Sequence, residues 1–280
     1  MSVQPADIDP MNPTRRSFLL GALAGTALAA TRPLHAWAAA VPDLAGIKAL
    51  TFDMQGTVFD FYDPMVKAAQ AIGRERGLPD NWAATLPGDW STGAHDIIVG
   101  ISAGRRPWMS NTGVYREALM PLLDGRGVGD RLSEADRDRL LAEWGKMVPW
   151  PDAMPGITQL RRKYTVSTLT NASMSQMTAL VKAGGLPFDE ILTGELVRAF
   201  KPDPKVYQLA VDYVGFRPDQ LLMVSAHKWD LQASKKAGLR TAYVPRPLEL
   251  GPGQAADRSP ESFIDIVADD LVDLAGKLGS

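Results

Sequence analysis

The sequence predicts an α/β fold in which helices cover both faces of a parallel sheet and a helical cap is inserted after the first strand. Short apolar segments recur along the chain, and each ends in a polar or turn-forming residue. Segments bounded by helix-capping residues lie between them. Residues 61–149 break this alternation and carry helical patterns alone. We therefore expect a core formed by residues 41–60 and 150–280 and a cap formed by residues 61–149.

Four apolar segments are predicted to be buried strands of this Rossmann-like core. The first, Ile47–Asp53, ends in a carboxylate and is followed by Gly56, which indicates a tight loop. The other three are Tyr164–Leu169, Leu221–Val224 and Thr241–Val244. Because the carboxyl ends of parallel strands meet at one edge of the sheet, the polar residues that follow them are expected to form the site.

Helix-capping residues mark the predicted helices. In the core, Ser173–Ala183 and Leu231–Ala237 each end at glycine, and Asp203 begins a third helix. In the cap, Ser133 and Asp136 have the spacing of a capping box. The core signals therefore predict helices between the three later strands.

The composition excludes several classes of protein. The chain has 280 residues, of which 45% are hydrophobic, so it can bury a sizeable core. A formal net charge of −2 and a pI near 6.0 give no basic surface for nucleic acid. Cysteine is absent, so disulfides, thiolate nucleophiles and cysteine-bound metals are excluded. With only three histidines, a histidine-cluster metal site is not expected.

The N-terminal segment, residues 1–40, has the pattern of an export signal. Arg15 and Arg16 precede the uncharged run Gly21–Ala30, and the stretch Ala36–Ala40 resembles a cleavage region, which is the order of a twin-arginine signal peptide. A buried helix or a membrane anchor is the alternative, but the apolar run is short for a bilayer span. We expect a periplasmic mature protein with no stable membrane anchor after processing.

Asp53 is placed to attack an electrophilic carbon or phosphorus, because it leaves a strand and enters a glycine-containing loop. Taken alone, the Asp53-x-x-Gly-Thr57 pattern is a weak signal, since a strand-terminal Asp that caps a turn is equally common. Three later polar clusters strengthen the prediction. They are Thr170 with Asn171, Lys201, and Ser225 to Asp230.

Together these four clusters resemble the motifs of the haloacid dehalogenase superfamily, in the same order and with an insertion after the first. The resemblance spans residues 47–275. It extends to the type II (S)-2-haloacid dehalogenases through Tyr207, which follows Lys201 by six residues, and through Trp229 next to Asp230.

This resemblance implies a hydrolase that converts short 2-haloalkanoic acids to 2-hydroxy acids. Asp53 would displace halide to form an ester, which water then hydrolyses. No cofactor and no metal are implied, and a buried Lys–Asp pair of purely structural role is the alternative. The implied catalytic residues are Asp53, Thr57, Lys201, Ser225 and Asp230, and the implied substrate-binding residues are Met54, Gln55, Thr170, Asn171, Tyr207 and His227, the last standing where an Asn is usual.

One departure from the superfamily favours halide over phosphate as the leaving group. Its magnesium-dependent phosphatases usually carry a second Asp two residues after the nucleophile, where this chain has Gln55. An amide cannot transfer a proton at neutral pH. Ser225 also stands where a metal-binding carboxylate is common, and magnesium prefers carboxylate ligands.

A second departure from the family pattern weakens the prediction that the substrate is a 2-haloacid. Type II dehalogenases usually have an Arg after a Trp in the cap, where this chain has Ser91 after Trp90. A hydroxyl does not replace the charge of a guanidinium. Arg105 or Arg106 could supply a cation, although a solvated basic turn is the favoured interpretation. His95 is expected to lie at the surface or to pack within the cap.

Three readings of the function stay open from the sequence. The first is the metal-independent dehalogenase, acting on a small-molecule substrate. The second is a phosphatase of the same superfamily, which alone would need magnesium. The third is a non-catalytic relative that keeps the fold as a binding module. A homodimer formed through cap helices is possible in each case.

Overall fold

Five parallel strands form the central sheet in a computed structural model, which describes residues 44–253 and 255–280. The predicted export signal lies outside these residues. The sheet order is β4-β1-β5-β6-β7, and a separate antiparallel pair joins β2 to β3. The strands are β1 (Ala49–Phe52), β2 (Phe59–Asp60), β3 (Val148–Pro149), β4 (Thr165–Thr168), β5 (Leu221–Ser225), β6 (Arg240–Tyr243) and β7 (Ile266–Val267).

All four predicted core strands are present, and each pairs in parallel with its neighbours. The α/β fold with a parallel sheet is therefore confirmed. The helices of the described residues are α1 (Tyr62–Arg76), α2 (Leu86–Ser102), α3 (Asn111–Gly125), α4 (Glu134–Glu143), α5 (Ala153–Leu160), α6 (Met174–Ala183), α7 (Pro204–Val214), α8 (Lys228–Lys236) and α9 (Leu271–Lys277).

The two faces of the sheet bury separate sets of apolar side chains, because successive residues of a strand point to opposite faces. In β1, Leu50 and Phe52 belong to one cluster, whereas Ala49 belongs to the other. In β5, Leu222 joins the first cluster and Met223 the second. All five side chains are fully buried. Helices on both faces of the sheet account for this burial.

Strands β2 and β3 flank the segment that was predicted to be a cap, and they pair with each other. Phe59 pairs with Pro149, and Asp60 pairs with Val148. Helices α1 to α4 lie between these strands in the chain. Inside this segment Trp90 is fully buried, and its ring meets those of Tyr115 and Trp144 at centroid distances of 6.1 and 5.4 Å.

The predicted helix starts at Ser133, Ser173 and Asp203 are confirmed, because each of these side chains accepts a hydrogen bond from a backbone N–H of its first turn. One boundary differs. The helix predicted from Leu231 begins at Lys228, so that Asp230 lies in its first turn. Among the described helices, none is long and apolar enough to cross a membrane.

Candidate active site

Asp53 lies directly after β1, at the carboxyl edge of the sheet. Its backbone N–H donates to the carbonyl of Val224 at 2.9 Å, which continues the pairing of β1 with β5. Its side chain is nearly buried, with 6% of the residue exposed. Thr57 Oγ1 donates to Asp53 Oδ2 at 2.6 Å and accepts from the N–H of Ala226 at 2.9 Å. Thr57 therefore fixes the carboxylate relative to the loop after β5.

Gly56 shapes the loop between Asp53 and Thr57. Its φ of 81° is the left-handed conformation that glycine adopts without strain. A Cβ atom at this position would overlap the carboxylate of Glu249. Gly56 thus serves two purposes, since it permits the turn and leaves room for an acid from another loop.

Lys201 bridges two carboxylates, one in the loop after β1 and the other in the first turn of α8. Its Nζ donates to Asp53 Oδ1 at 2.8 Å and to Asp230 Oδ2 at 2.6 Å. The hydroxyl of Tyr207 donates to the other oxygen of Asp230 at 2.7 Å. Asp230 is completely buried, and Lys201 is 1% exposed. Both oxygens of Asp230 therefore have partners that shield them from solvent.

These contacts explain why Asp53 and Lys201 are both ionised. Burial alone would raise the pKa of Asp53, but Lys201 and His227 together hold it well below its usual range. Burial lowers the pKa of Lys201, but Asp230 and Asp53 outweigh it and raise the pKa. Asp53 is consequently a carboxylate and Lys201 an ammonium at neutral pH.

His227 lies between two acids. Its Nδ1 is 3.0 Å from Asp53 Oδ2, and its Nε2 is 2.7 Å from Glu249 Oε1. Burial would lower the pKa of His227, but Glu249 and Asp53 raise it well above its usual value. The ring is therefore an imidazolium at neutral pH and donates from both nitrogens.

The loop that carries Glu249 is tied to the loop of Asp53 by one arginine. Arg246 Nε donates to the carbonyl of Thr57 at 2.9 Å. Its two terminal nitrogens donate to the carboxylate of Asp152 at 2.9 and 2.8 Å, a bidentate pair. The N–H of Glu249 donates to the carbonyl of Arg246 at 3.2 Å. These bonds set the position from which Glu249 reaches His227.

A cavity of 260 Å³ opens above Asp53. Its wall combines residues of the core with residues of α2 and α3. No Lys or Arg is among the described residues that line it, so His227 is the cation of this wall. The lining residues are Asp53, Gln55, Phe61, Ser91, Thr92, His95, Ile98, Tyr115, Asn171, His227, Trp229, Glu249 and Leu250.

Comparison with known proteins identifies the family. The profile of the haloacid dehalogenase-like hydrolases matches residues 47–238. The chain belongs to this family. A curated relative, (S)-2-haloacid dehalogenase 4A of Burkholderia cepacia, is 27% identical over 213 residues, which cover 71% of this chain and 84% of the relative.

Two solved structures of the family resemble this one closely. An L-2-haloacid dehalogenase is 33% identical, with a TM-score of 0.75, and the match covers 83% of this chain and 99% of that one. A defluorinating L-2-haloacid dehalogenase is 30% identical, with a TM-score of 0.76, and the match covers 84% of this chain and 96% of that one.

The structure brings together most of the residues that the family resemblance pointed to. Asp53, Thr57, Lys201 and Asp230 form one hydrogen-bonded cluster. Gln55, Asn171 and His227 line the cavity, as their predicted contact with substrate requires. Asn171 is held by the backbone of Lys201, whose N–H donates to its side-chain oxygen at 2.7 Å.

Four predicted site residues have other surroundings, and none of them lines this cavity. Tyr207 is fully buried and contacts Asp230, so its predicted contact with substrate is replaced by one with the cluster. Met54 is fully buried in the core, and Thr170 Oγ1 accepts from the N–H of Ala172. Ser225 Oγ accepts from the N–H of His227 at 3.1 Å, so it orients that residue rather than Lys201.

Two cavity residues were missed or misjudged from the sequence. His95, expected at the surface or within the cap, lines the cavity with its ring 4.8 Å from that of Trp229. Glu249 lies in a Pro- and Gly-rich loop that has no periodic pattern to orient it. Gly56 is the one sequence feature related to Glu249, because a larger residue there would overlap its carboxylate. That relation can be recognised only once the structure shows the two loops in contact.

Arg105 and Arg106 do not line the cavity. Arg105 is exposed, and Arg106 pairs with Glu117 of α3 at the surface. The favoured interpretation of a solvated basic turn is therefore confirmed. Ser91 does line the cavity, so the position where the family resemblance led us to expect Arg is held by a neutral hydroxyl.

Proposed function

We propose that this protein hydrolyses short 2-haloalkanoic acids to 2-hydroxy acids, with Asp53 as the nucleophile. The observation that carries the proposal is the Asp53 carboxylate itself, which is held as an anion by Lys201 and lines a small cavity. The solved and curated relatives named as 2-haloacid dehalogenases support the substrate class.

In the first step, Asp53 Oδ2 attacks the carbon that bears the halogen, and the bonding electrons leave with the halide. Oδ2 is the attacking atom because it lies on the side of His227, which lines the cavity, whereas Oδ1 faces the buried Lys201. The product is an ester of Asp53. Halide departs without a proton, which suits the amide of Gln55 at the position where phosphatases have an acid.

Cavity-lining amides are the donors available to the substrate. The Nε2 of Gln55 is buried, and within the described part of the chain it makes no well-formed hydrogen bond, although the hydroxyl of Tyr115 lies beside it. A buried donor with so weak a contact is costly, and a substrate carboxylate would relieve that cost. The side chain of Asn171 is fixed by Lys201 next to the same space. A cavity of 260 Å³ fits a substrate of a few carbon atoms better than a large one.

The residues present do not fit a magnesium ion. Magnesium needs free carboxylate oxygens, and the candidates from the superfamily pattern are Asp53 and Asp230. Both oxygens of Asp230 are engaged, by Lys201 and by Tyr207. Ser225, at the third position of that pattern, is neutral and offers no carboxylate to a metal ion. Among the described residues, no group of three or more His, Asp or Glu side chains is arranged to hold a metal.

Halide release tests the proposed function directly. The purified protein is supplied with chloroacetate or 2-chloropropionate, with and without EDTA, and free halide is measured. We expect halide release that EDTA does not change. Release of phosphate from a phosphomonoester that EDTA abolishes, with no halide release, would establish the phosphatase instead. If neither halide nor phosphate is released, the protein is a binding module and not a hydrolase of either kind.

We also propose that the protein is exported through the twin-arginine route to the periplasm. The support is the order of Arg15-Arg16, apolar run and small-residue stretch before residue 41. A double variant, Arg15→Lys with Arg16→Lys, keeps the charge and removes the arginine pair. We expect it to stay in the cytoplasm of a bacterial host, while the unchanged chain reaches the periplasm. Equal periplasmic amounts of the two would contradict this route.

A further inference from the structure

The hydrolysis of the ester needs proton transfers that the cluster around Lys201 does not supply. Water must lose a proton as it attacks Cγ of Asp53, and the departing 2-oxygen of the product must gain one. Asp230 is the acid nearest to Lys201, but it is completely buried, both its oxygens are engaged, and it does not line the cavity. It has no access to an attacking water.

His227 has that access. It lines the cavity, and its Nδ1 lies 3.0 Å from Asp53 Oδ2, the atom that becomes the ester oxygen. A water that attacks Cγ from the cavity passes within reach of the same nitrogen, since Cγ and Oδ2 are covalently joined. Lys201 remains on Oδ1 at 2.8 Å, where negative charge develops in the tetrahedral intermediate.

Glu249 completes the arrangement on the other side of the ring. Its Oε1 contacts Nε2 at 2.7 Å, so it fixes the orientation of the imidazole and stabilises the charge that forms when Nδ1 takes a proton. A carboxylate that orients a catalytic imidazole in this way is a recurrent device in acyl transfer.

We propose that His227, oriented by Glu249, carries the protons of the ester-hydrolysis step: it accepts one from the attacking water and donates one to the departing 2-oxygen. This inference rests on the proposed dehalogenation. His227 is then a catalytic residue, and Glu249 is a positioning residue that acts through it.

The proton balance of the cycle is complete. Haloacid and water give hydroxy acid, halide and one proton. Formation of the ester removes the charge of Asp53, one of the two carboxylates that contact His227 among the described residues, and the imidazolium releases the net proton to solvent. Neutral His227 then takes a proton from water and passes it to the 2-oxygen as the Cγ–Oδ2 bond breaks. The carboxylic acid left on Asp53 returns its proton to His227.

The groups that face His227 are consistent with this cycle. Asp53 and Glu249 contact its two nitrogens, and His95 is the third titratable group close to it. Burial lowers the pKa of His95, so this second imidazole is neutral and adds no competing charge at neutral pH. Loss of the Asp53 charge on ester formation removes part of what raises the pKa of His227, while the contact with Glu249 stays in place.

The test separates the two half-reactions. The variants His227→Gln and Glu249→Gln are mixed with excess 2-chloropropionate, and halide is followed by rapid quench from the first turnover onward. Glu261→Gln, which removes an exposed carboxylate from the same C-terminal part of the chain, is the matched control. Intact-protein mass spectrometry measures the fraction of chains that carry the Asp53 ester.

We expect both site variants to release about one equivalent of halide rapidly and then to turn over on the order of 10²-fold more slowly than the wild type. The ester should accumulate on them and not on Glu261→Gln. Loss of the first turnover in proportion to the steady state, with no ester, overturns the inference, as does wild-type turnover in both variants. A wild type that releases no halide overturns the proposed function as well, so the two failures are distinguishable.

Discussion

The hydroxyl of Tyr207 donates a 2.7 Å hydrogen bond to Asp230, and both residues are sealed from the cavity. This bond leaves Asp230 with its other oxygen for Lys201, and Lys201 in turn contacts Asp53. Tyr207 therefore influences the nucleophile through two intermediate side chains without contacting the substrate.

The variant Tyr207→Phe should lower kcat and leave KM for the haloacid nearly unchanged. It also removes a hydrogen bond to a buried carboxylate, which should lower the free energy of unfolding by about 1.5–3 kcal/mol. Steady-state kinetics and urea unfolding measure both effects. Tyr213→Phe, at a tyrosine that is 64% exposed, is the control and should change neither. A raised KM with an unchanged kcat would restore the direct contact with substrate that the sequence suggested.

The variant Asp53→Asn should lower halide release on the order of 10³-fold or more, because an amide oxygen is a poor nucleophile toward a carbon–halogen bond. Halide assays and mass spectrometry for the ester measure the loss. Asp63→Asn, on the exposed surface of α1, controls for the change of charge. Full activity in Asp53→Asn would exclude the proposed nucleophile.

The variant Gly56→Ala should reduce both stability and turnover, because a Cβ there meets the carboxylate of Glu249. Gly215 makes a matched comparison, since its φ of 79° is close to the 81° of Gly56 and nothing lies within 4 Å of its Cβ position. Gly215→Ala should cost about 1–2 kcal/mol from the left-handed backbone alone and leave kcat intact. Equal kinetic effects of the two substitutions would mean that Glu249 is not displaced.

The stability of the protein should decrease from neutral to alkaline pH, in part because of His227. Contact with Glu249 and Asp53 raises the pKa of His227 in the folded state. Its contribution is therefore fully present below the unfolded pKa of about 6.5 and is lost as the pH rises through the folded pKa. Urea unfolding between about pH 6 and pH 10 should show a shallower decline for His227→Gln than for the wild type.

The second cavity histidine provides the comparison for that experiment. Burial lowers the pKa of His95 in the folded state, so its titration costs stability only as the pH falls below the unfolded pKa of about 6.5. His95→Gln should consequently keep the alkaline decline of the wild type. If His95→Gln flattened the decline as much as His227→Gln, the assignment of the titrating group would be wrong.

The sequence placed Asp53 and the cluster from Ser225 to Asp230 near each other because both follow strands whose carboxyl ends meet at one edge. Lys201 was added by the family resemblance, since it follows no predicted strand. The sequence did not predict which way Tyr207 points. A residue in a helix next to the site can face either the cavity or the core, and the spacing from Lys201 does not distinguish the two. Glu249 was missed for a different reason, since a loop without regular structure gives no pattern from which to orient a side chain.

Asp152 has a second partner besides Arg246, because its Oδ2 also accepts from the backbone N–H of Leu271, the first residue of α9. The chain end is held too, with the carbonyl of Ser280 accepting from the Gln159 side chain at 2.6 Å. Loss of the final helix would therefore loosen Arg246, and with it the loop that carries Glu249. Truncated or C-terminally tagged preparations should be compared with the untagged 280-residue chain before any low activity is ascribed to the catalytic residues.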